Sequence, residues 1–506
     1  MKSASLLMKN TLLLAASNII LRLCVLCFQA YLASKIGAHQ LGIFGIIASV
    51  EMVFATVSIS GVRFSVTRIV SEEINSDNHY PTALMTCAFR YAIFFGLLAC
   101  CGMFLLSGRI SSSYIGDVEA VLPLRIMALS MPSIALGSCA EGYFTAKQKV
   151  FRLITAMLFA QAVRILFVKL SFDAVLFKGA YPADILATGA ALGEVTFSLA
   201  VCIMYIIESF GKKEKTVQKK YFPRLVKTAM PLAVSAYMRT GLSSLGQVII
   251  PAGLKKSGMG SVGAFSVYGV ITQMAMPVLM FPIAFLSALG EVLIPRLTGA
   301  QVKNKKIGIS YIVNRALRVG IIFSFGIMGI MFFFAGELGE TIYKSTEAGT
   351  YIRAFTPLIP IIYIDCVTDG CLKGLGQQVH SMFYNILEGI LNVGLLFILL
   401  PRMAMGGYIL VMYIKEIFNS YLSIRRLSVV TSVDISIKAL LSAMASVPSA
   451  WILCPFVGSG LPLVFKITLY VIFYVMLLYI VNAVTRDDIR WILSNAKSKE
   501  DNLSCY

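Results

Sequence analysis

Fourteen predominantly apolar stretches recur along this chain of 506 residues, at about 11–33, 41–61, 84–107, 122–144, 152–170, 185–208, 227–250, 262–290, 316–335, 351–372, 381–400, 406–424, 436–457 and 461–483. A helix needs roughly 20 such residues to cross about 30 Å of hydrocarbon, and only a structure that satisfies its own backbone hydrogen bonds can do so. Runs of that length, repeated end to end, leave little room for a soluble domain. Composition agrees: 58% of residues are hydrophobic and 14% charged, where a soluble chain carries roughly a quarter. Mean hydropathy is +0.81. The expected fold class is an all-α polytopic membrane protein of about 14 transmembrane helices.

The 44 Lys and Arg against 25 Asp and Glu give +19, a balance that in a soluble protein would suggest nucleic acid. Here the charges sit in short segments between apolar runs, so they read as topology signals and contacts to anionic lipid. With the N-terminus inside, segments 144–152, 211–227 and 296–318, Arg425–Arg426 and the tail with Arg486, Arg490, Lys497 and Lys499 carry close to three times the Lys and Arg of the opposite loops. An even helix count then places both termini in the cytoplasm. No aromatic-interleaved basic patch appears, so nucleic acid is not an expected partner.

The 11 cysteines fall mostly inside apolar spans, and Cys24-x-x-Cys27 lacks a second pair or a nearby His. Small buried hydrophobes account for them better than a redox or zinc motif. His39, His79 and His380 lie in or near loops and suggest no metal site, and no cofactor is expected. A phosphate-binding G-x-x-x-x-G-K-[ST] loop is absent, as is any Ser/His/Asp arrangement. An enzyme is not expected, and the energy for any work would come from an ion gradient, the membrane potential or substrate flow.

An internal repeat is legible by eye. Lys35-x-Gly37-x-x-x-x-Gly42-x-Phe44 recurs 221 residues later as Lys256-x-Gly258-x-x-x-x-Gly263-x-Phe265. Arg125…Pro132…Glu141-Gly142 recurs as Arg353…Pro360…Asp369-Gly370, shifted by 228. Six spans separate the partners, an even number, so the two copies share one orientation. Such a parallel repeat has a pseudo-two-fold axis along the membrane normal and forms two bundles around a central cavity. The expected organisation is an N-lobe at 1–210, a basic cytoplasmic linker at 211–226, a C-lobe at 227–424, two appended helices at 425–485 and a tail at 486–506.

Charges inside spans narrow the chemistry. Each costs at least about 2.5–3.5 kcal/mol at mid-membrane, so it faces a partner or a watery cavity. Arg22, Glu51, Arg63, Glu141, Arg164, Glu194, Arg239, Glu291, Asp369, Glu388, Lys415 and Glu416 qualify. For Glu141, Glu291, Lys415 and Glu416 an interhelical pair or a snorkelling end serves as well. Arg22 and Arg239 lie 15 and 19 residues before the repeated Gly37 and Gly258, each well inside the first helix of its lobe. Together with Arg63, Arg164 and Gln273 they form the expected substrate site, because a guanidinium's planar fork suits phosphate. Glu51, Glu194 and Asp369 are the expected cavity or coupling acids. Asn385, Glu388 and Asn392 share one face of span 11, as a cation site or as a polar seam between helices. Pro277 and Pro282 stand close together as an expected hinge.

Several of these segments carry a family resemblance. Gly142-Tyr143-Phe144 followed by Gln161-x-x-Arg164, the stretch at 268–300, Ile249-Ile250-Pro251…Leu254 and Leu372-Lys373-Gly374-Leu375-Gly376-Gln377 resemble bacterial polysaccharide-export flippases of the stage V sporulation protein B-like type. The likeness runs over roughly residues 10–485 and is most specific at 268–300. Gln273 stands where that family commonly has Gly, and the surroundings of Gly61-Val62-Arg63 lack its usual Pro. The resemblance implies two six-helix lobes plus two helices, alternating access, and a polyprenyl-pyrophosphate-linked oligosaccharide as cargo, such as a peptidoglycan or polysaccharide precursor. It also implies the cytoplasmic membrane of a bacterium and, as partners, the lipid-linked sugar, membrane lipids, a coupling Na+ or H+ and cell-wall polymerases. The alternative expectation is a cation-coupled multidrug exporter of the same fold.

Overall fold

The computed structural model describes residues 2–75, 81–173, 181–210, 221–303, 305–434, 437–453, 462–481 and 483. Residues 211–220 of the expected linker and the whole expected tail, with its four basic residues, lie outside the described residues, as does His79. Among the described residues there is helix and no strand. The helices are α1 (Lys2–Ile59), α2 (Val62–Asn75), α3 (Pro81–Arg109), α4 (Val121–Ala146), α5 (Val150–Asp173), α6 (Pro182–Ser209), α7 (Tyr221–Lys256), α8 (Ser261–Gly269), α9 (Met276–Met280), α10 (Ile283–Val302), α11 (Lys306–Phe333), α12 (Ala335–Tyr343), α13 (Thr346–Phe355), α14 (Ile359–Gly374), α15 (Gln378–Val430), α16 (Ile437–Leu453) and α17 (Leu463–Ile480).

Two of these are too long for one crossing. The 58 residues of α1 and 53 of α15 would each run roughly 80 Å or more at 1.5 Å per residue, against about 30 Å of hydrocarbon. Each contains one residue with non-helical backbone, Gly37 at φ 73°, ψ 174° and Ala404 at φ 47°, ψ −128°, which divides it into two helices. Among the described residues 11 stretches are long and apolar enough to span, the two divided helices counted once each. With those two counted as pairs, α8–α10 as one interrupted crossing, and α7 and α16 included, the architecture has the fourteen expected helices. The repeat carries real geometry: Gly258, the partner of Gly37, also has positive φ, at 98°. Glycine alone takes that conformation without a Cβ clash, so both copies turn the chain at the same motif position.

The chain gathers into two compact units, one of Ile36–Gly269 and one of residues up to Lys35 together with Val270 onward. In the Ile36–Gly269 unit, α4 is central and packs on α2, α3 and α6, with α5 on α6. Val66, Leu84, Ala88, Cys139 and Phe144 are fully buried in its apolar core. Close approach is set by small residues, as expected where lipid removes the hydrophobic drive between helices. A Cβ on Gly142 would stand 2.6 Å from the Arg63 carbonyl oxygen, so α4 and α2 meet nearly backbone to backbone. The loop between α4 and α5 is pinned: Lys147 and Lys149 reach the Glu208 carboxylate at 3.0 and 2.7 Å, and Arg152 joins them. Arg224 likewise ties the start of α7 to Glu72 and Glu73 at the end of α2, at 2.5 and 3.0 Å.

In the other unit, α14 is central and packs on α10, α11 and α15. Gly370, the repeat partner of Gly142, sits where α14 crosses α10, and a Cβ there would stand 3.2 Å from Gly290 Cα. The last helices dock through aromatics. Phe333 of α11 stacks on Trp451 of α16 at 4.5 Å, and the Tyr474 hydroxyl of α17 donates to the Ile322 carbonyl at 2.9 Å.

Candidate functional site

In the Ile36–Gly269 unit, Arg63 and Arg164 each have carboxylate neighbours. Gly61, at φ 71°, ends the tight turn between α1 and α2. The turn sends Arg63 toward α4, where its Nη2 meets Glu141 Oε1 at 3.0 Å. The Glu141 side chain is 8% exposed and that of Arg63 44%. The carboxylate thus aims the guanidinium while much of the donor fork stays accessible. Glu51 on α1, Arg164 on α5 and Glu194 on α6 form a second set of mutually interacting charges. Gly193 lets the α5 and α6 backbones close there: its Cβ would lie 3.3 Å from Arg164 Cβ. Glu194 itself is exposed, and so is Arg239 near the midpoint of α7. Arg63, Arg164, Glu51 and Glu194 are therefore grouped within one unit by α1, α2, α4, α5 and α6.

In the unit of Val270 onward, Arg22 is exposed on α1 and its Nη1 donates to the Met280 carbonyl at 3.4 Å. It lines a cavity of about 90 Å³ with Asn18, Ser287 and Glu291, and Glu291 Oε2 has no hydrogen-bond partner among the described residues. A cation, a carboxylate and an amide around so small a polar space suit a few waters or one small polar group. The helix beside it is broken. A π-helical turn at Val270–Ala275 contains Gln273, half-buried, with its Nε2 3.5 Å from Thr272 Oγ1. Pro277 lies in the first turn of α9, and Pro282 caps the start of α10. Neither residue offers a backbone N–H, which accounts for the interruption.

Further along, four carboxylates gather around two lysines. Asp369 is met by Lys373 Nζ at 2.5 Å and by the Ser381 hydroxyl. Lys415 Nζ lies 3.0 Å from Glu388 and 2.8 Å from Glu416, with side chains 14–18% exposed. Glu388 is thus engaged by an ammonium group, while Asn385 and Asn392 are half-buried on the same helix. Asp365 belongs to the same cluster, although the repeat does not mark it. Asn419 Nδ2 donates to its Oδ2 at 3.0 Å, and both Asp365 Oδ1 and Asn419 Oδ1 lack a partner among the described residues. The available signal was the spacing of Asp365 and Asp369, four apart and so on one face of α14. The repeat drew attention to Asp369 alone.

Membrane-length helices with ionised side chains inside them, and helix breaks beside those charges, define a polytopic membrane transporter. The comparisons agree. A family model described as polysaccharide biosynthesis protein matches residues 7–301, and the chain belongs to that family. A second model, MatE, matches 256–398. Stage V sporulation protein B of Bacillus subtilis (strain 168) is 23% identical over 90% of this chain and 89% of its own. Among solved structures, the lipid II flippase MurJ in an inward closed conformation superposes with TM-score 0.72 and 13% identity, over 93% of this chain and 98% of its own. An inward-facing multidrug resistance MATE family transporter superposes with TM-score 0.64 and 13% identity, over 81% and 95%. At such identities these structures share the fold.

Proposed function

We propose that this protein is an alternating-access flippase that carries a polyprenyl-pyrophosphate-linked oligosaccharide, a peptidoglycan or polysaccharide precursor, across a bacterial cytoplasmic membrane. Residues 1–210 and 227–424 act as its two lobes, joined by 211–226, and both termini face the cytoplasm. The observation that carries the reading is that Arg22 and Arg239 are exposed well inside helices of membrane length. A charge there is tolerated against water or a ligand and not against lipid tails. Arg63, aimed by Glu141 with much of its fork accessible, adds a third donor set suited to phosphate oxygens. Kinship with a family concerned with polysaccharide biosynthesis supports a sugar-lipid cargo. Pro277 and Pro282 supply the hinge.

Reconstitution into liposomes with labelled lipid-linked precursor tests the reading by scoring outer-leaflet exposure. Arg22→Ala and Arg239→Ala proteins should insert normally and lose flipping. Unchanged transport in both removes the assignment.

A second reading, a cation-coupled multidrug exporter, draws on one observation. In the cluster around Asp365, the carboxylates of Asp365, Asp369, Glu388 and Glu416 outnumber the ammonium groups of Lys373 and Lys415. Dye efflux from vesicles, driven by an imposed Na+ or H+ gradient and absent with sugar-lipid cargo, would favour it.

A further inference from the structure

Away from the intramembrane charges, the unit of Val270 onward carries a cavity of about 640 Å³ beside the start of α11. Ile307, Ser310, Tyr311, Asn314 and Arg318 line it at positions i, i+3, i+4, i+7 and i+11, one face of a helix. The chain leaving α15 forms the opposite wall. That wall is fixed by hydrogen bonds: the Ser310 hydroxyl donates to the Ser432 carbonyl at 2.8 Å, and Asn314 Nδ2 to the same carbonyl at 3.2 Å. The Asp434 backbone N–H returns a bond to Asn314 Oδ1 at 2.8 Å. Lys306, Arg315 and Arg318 border the space against the single carboxylate of Asp434, an excess of two positive charges. Arg318 also donates to the Ala483 carbonyl at 2.6 Å, and the Arg315 guanidinium lies over the Tyr311 ring at 5.6 Å.

We propose that this cavity binds the phosphate-bearing headgroup of an anionic membrane lipid. Guanidinium and ammonium donors match phosphate oxygens, and the hydroxyl and amide groups match ester and glycerol oxygens. Ile307, 88% exposed at the rim, distinguishes a lipid from a soluble phosphate. Apolar surface beside the headgroup is covered by an acyl chain and stays in water under a free anion. Basic pockets at helix ends are the usual place for such contacts. The site shares no residue with the proposed cargo-binding arginines, and its test does not depend on that proposal.

The test uses the full-length protein in neutral detergent, titrated with phosphatidylglycerol, phosphatidylcholine, glycerol 3-phosphate or inorganic phosphate, and read by native mass spectrometry and thermal shift. Phosphatidylglycerol should bind in preference to the other three. Lys306→Ala/Arg315→Gln should weaken it roughly thirtyfold, from two cations at about 1 kcal/mol each. Arg318 is left intact because it holds Ala483. Asp434→Asn, which keeps the backbone bond to Asn314, should tighten binding severalfold and provides a second reading if the double variant folds poorly. Equal binding of phosphatidylglycerol and phosphatidylcholine, no loss in the double variant, or weaker binding in Asp434→Asn overturns the proposal. Inorganic phosphate or glycerol 3-phosphate binding as tightly as phosphatidylglycerol overturns the assignment to a lipid.

Discussion

The charges placed inside the helices differ between the two units. In Ile36–Gly269 two arginines inside the helices have carboxylate neighbours: Arg63 pairs with Glu141, and Arg164 interacts with Glu51 and Glu194. From Val270 onward Lys373 and Lys415 lie among Asp365, Asp369, Glu388 and Glu416, more carboxylates than the two can neutralise. A guanidinium held at one edge keeps N–H donors for a second anion, whereas an ammonium between two carboxylates is occupied. The first arrangement suits a phosphate-bearing cargo. The second leaves an excess of negative charge that suits a proton or a small cation. Under the proposed function, Arg63 and Arg164 would join Arg22 and Arg239 in holding cargo, and the carboxylates of α14 and α15 would be the place for ion coupling.

The largest effect should come from Lys415→Met, which leaves Glu388 and Glu416 buried without their shared cation. Breaking a buried pair from one side costs about 3–5 kcal/mol, visible as a fall in melting temperature in detergent. Adding Glu388→Gln should restore part of it; a stable single variant would break the comparison. Next comes Arg63→Ala. Flipping should drop at least tenfold, roughly 1.4 kcal/mol of lost binding. Stability should fall by only about 1–2 kcal/mol, because the exposed guanidinium is partly screened. Arg63→Lys sharpens the test: if the fork matters, lysine restores stability but not transport.

A third pair of variants compares the repeated glycines. Gly142→Ala drives a Cβ to 2.6 Å from the Arg63 carbonyl, a contact that real Cβ atoms do not make. Overpacking of that kind costs about 1–3 kcal/mol. Gly370→Ala meets Gly290 Cα at 3.2 Å, a milder contact than that of Gly142, so melting should change by less than half as much. The smallest change in stability belongs to Asp365→Asn, within about 1 kcal/mol because an amide fits the same space. Its signature is functional: transport in liposomes should lose its response to an imposed Na+ or H+ gradient. A retained response would move ion coupling away from α14.

Much of the fold was legible in the sequence because hydrocarbon thickness fixes helix length. Fourteen apolar runs had to become fourteen crossings. The Lys-x-Gly motif marked the turns at Gly37 and Gly258, since only glycine takes positive φ freely. Paired prolines marked the break between α9 and α10. The site was legible as a set of residues and not as an arrangement. Arg63 and Glu141 are 78 residues apart, and nothing in their local pattern announces an ion pair. Glu388 looked like the partner of Asn385 and Asn392 on one helical face, yet its bond goes to Lys415 further along α15. Asp365, four residues before Asp369 on α14, shows no partner in the sequence until α15 brings Asn419 beside it.

The sequence by itself determined that this protein crosses a membrane many times, where its repeat begins again, and which residues carry charge into hydrocarbon. The tertiary structure alone decided which of those charges meet. The reason is physical: crossing a membrane depends on a helix's own length and apolarity, whereas pairing of charges depends on which helix faces pack together. Those faces are chosen by small residues such as Gly142 and Gly370, whose effect appears only when two backbones touch.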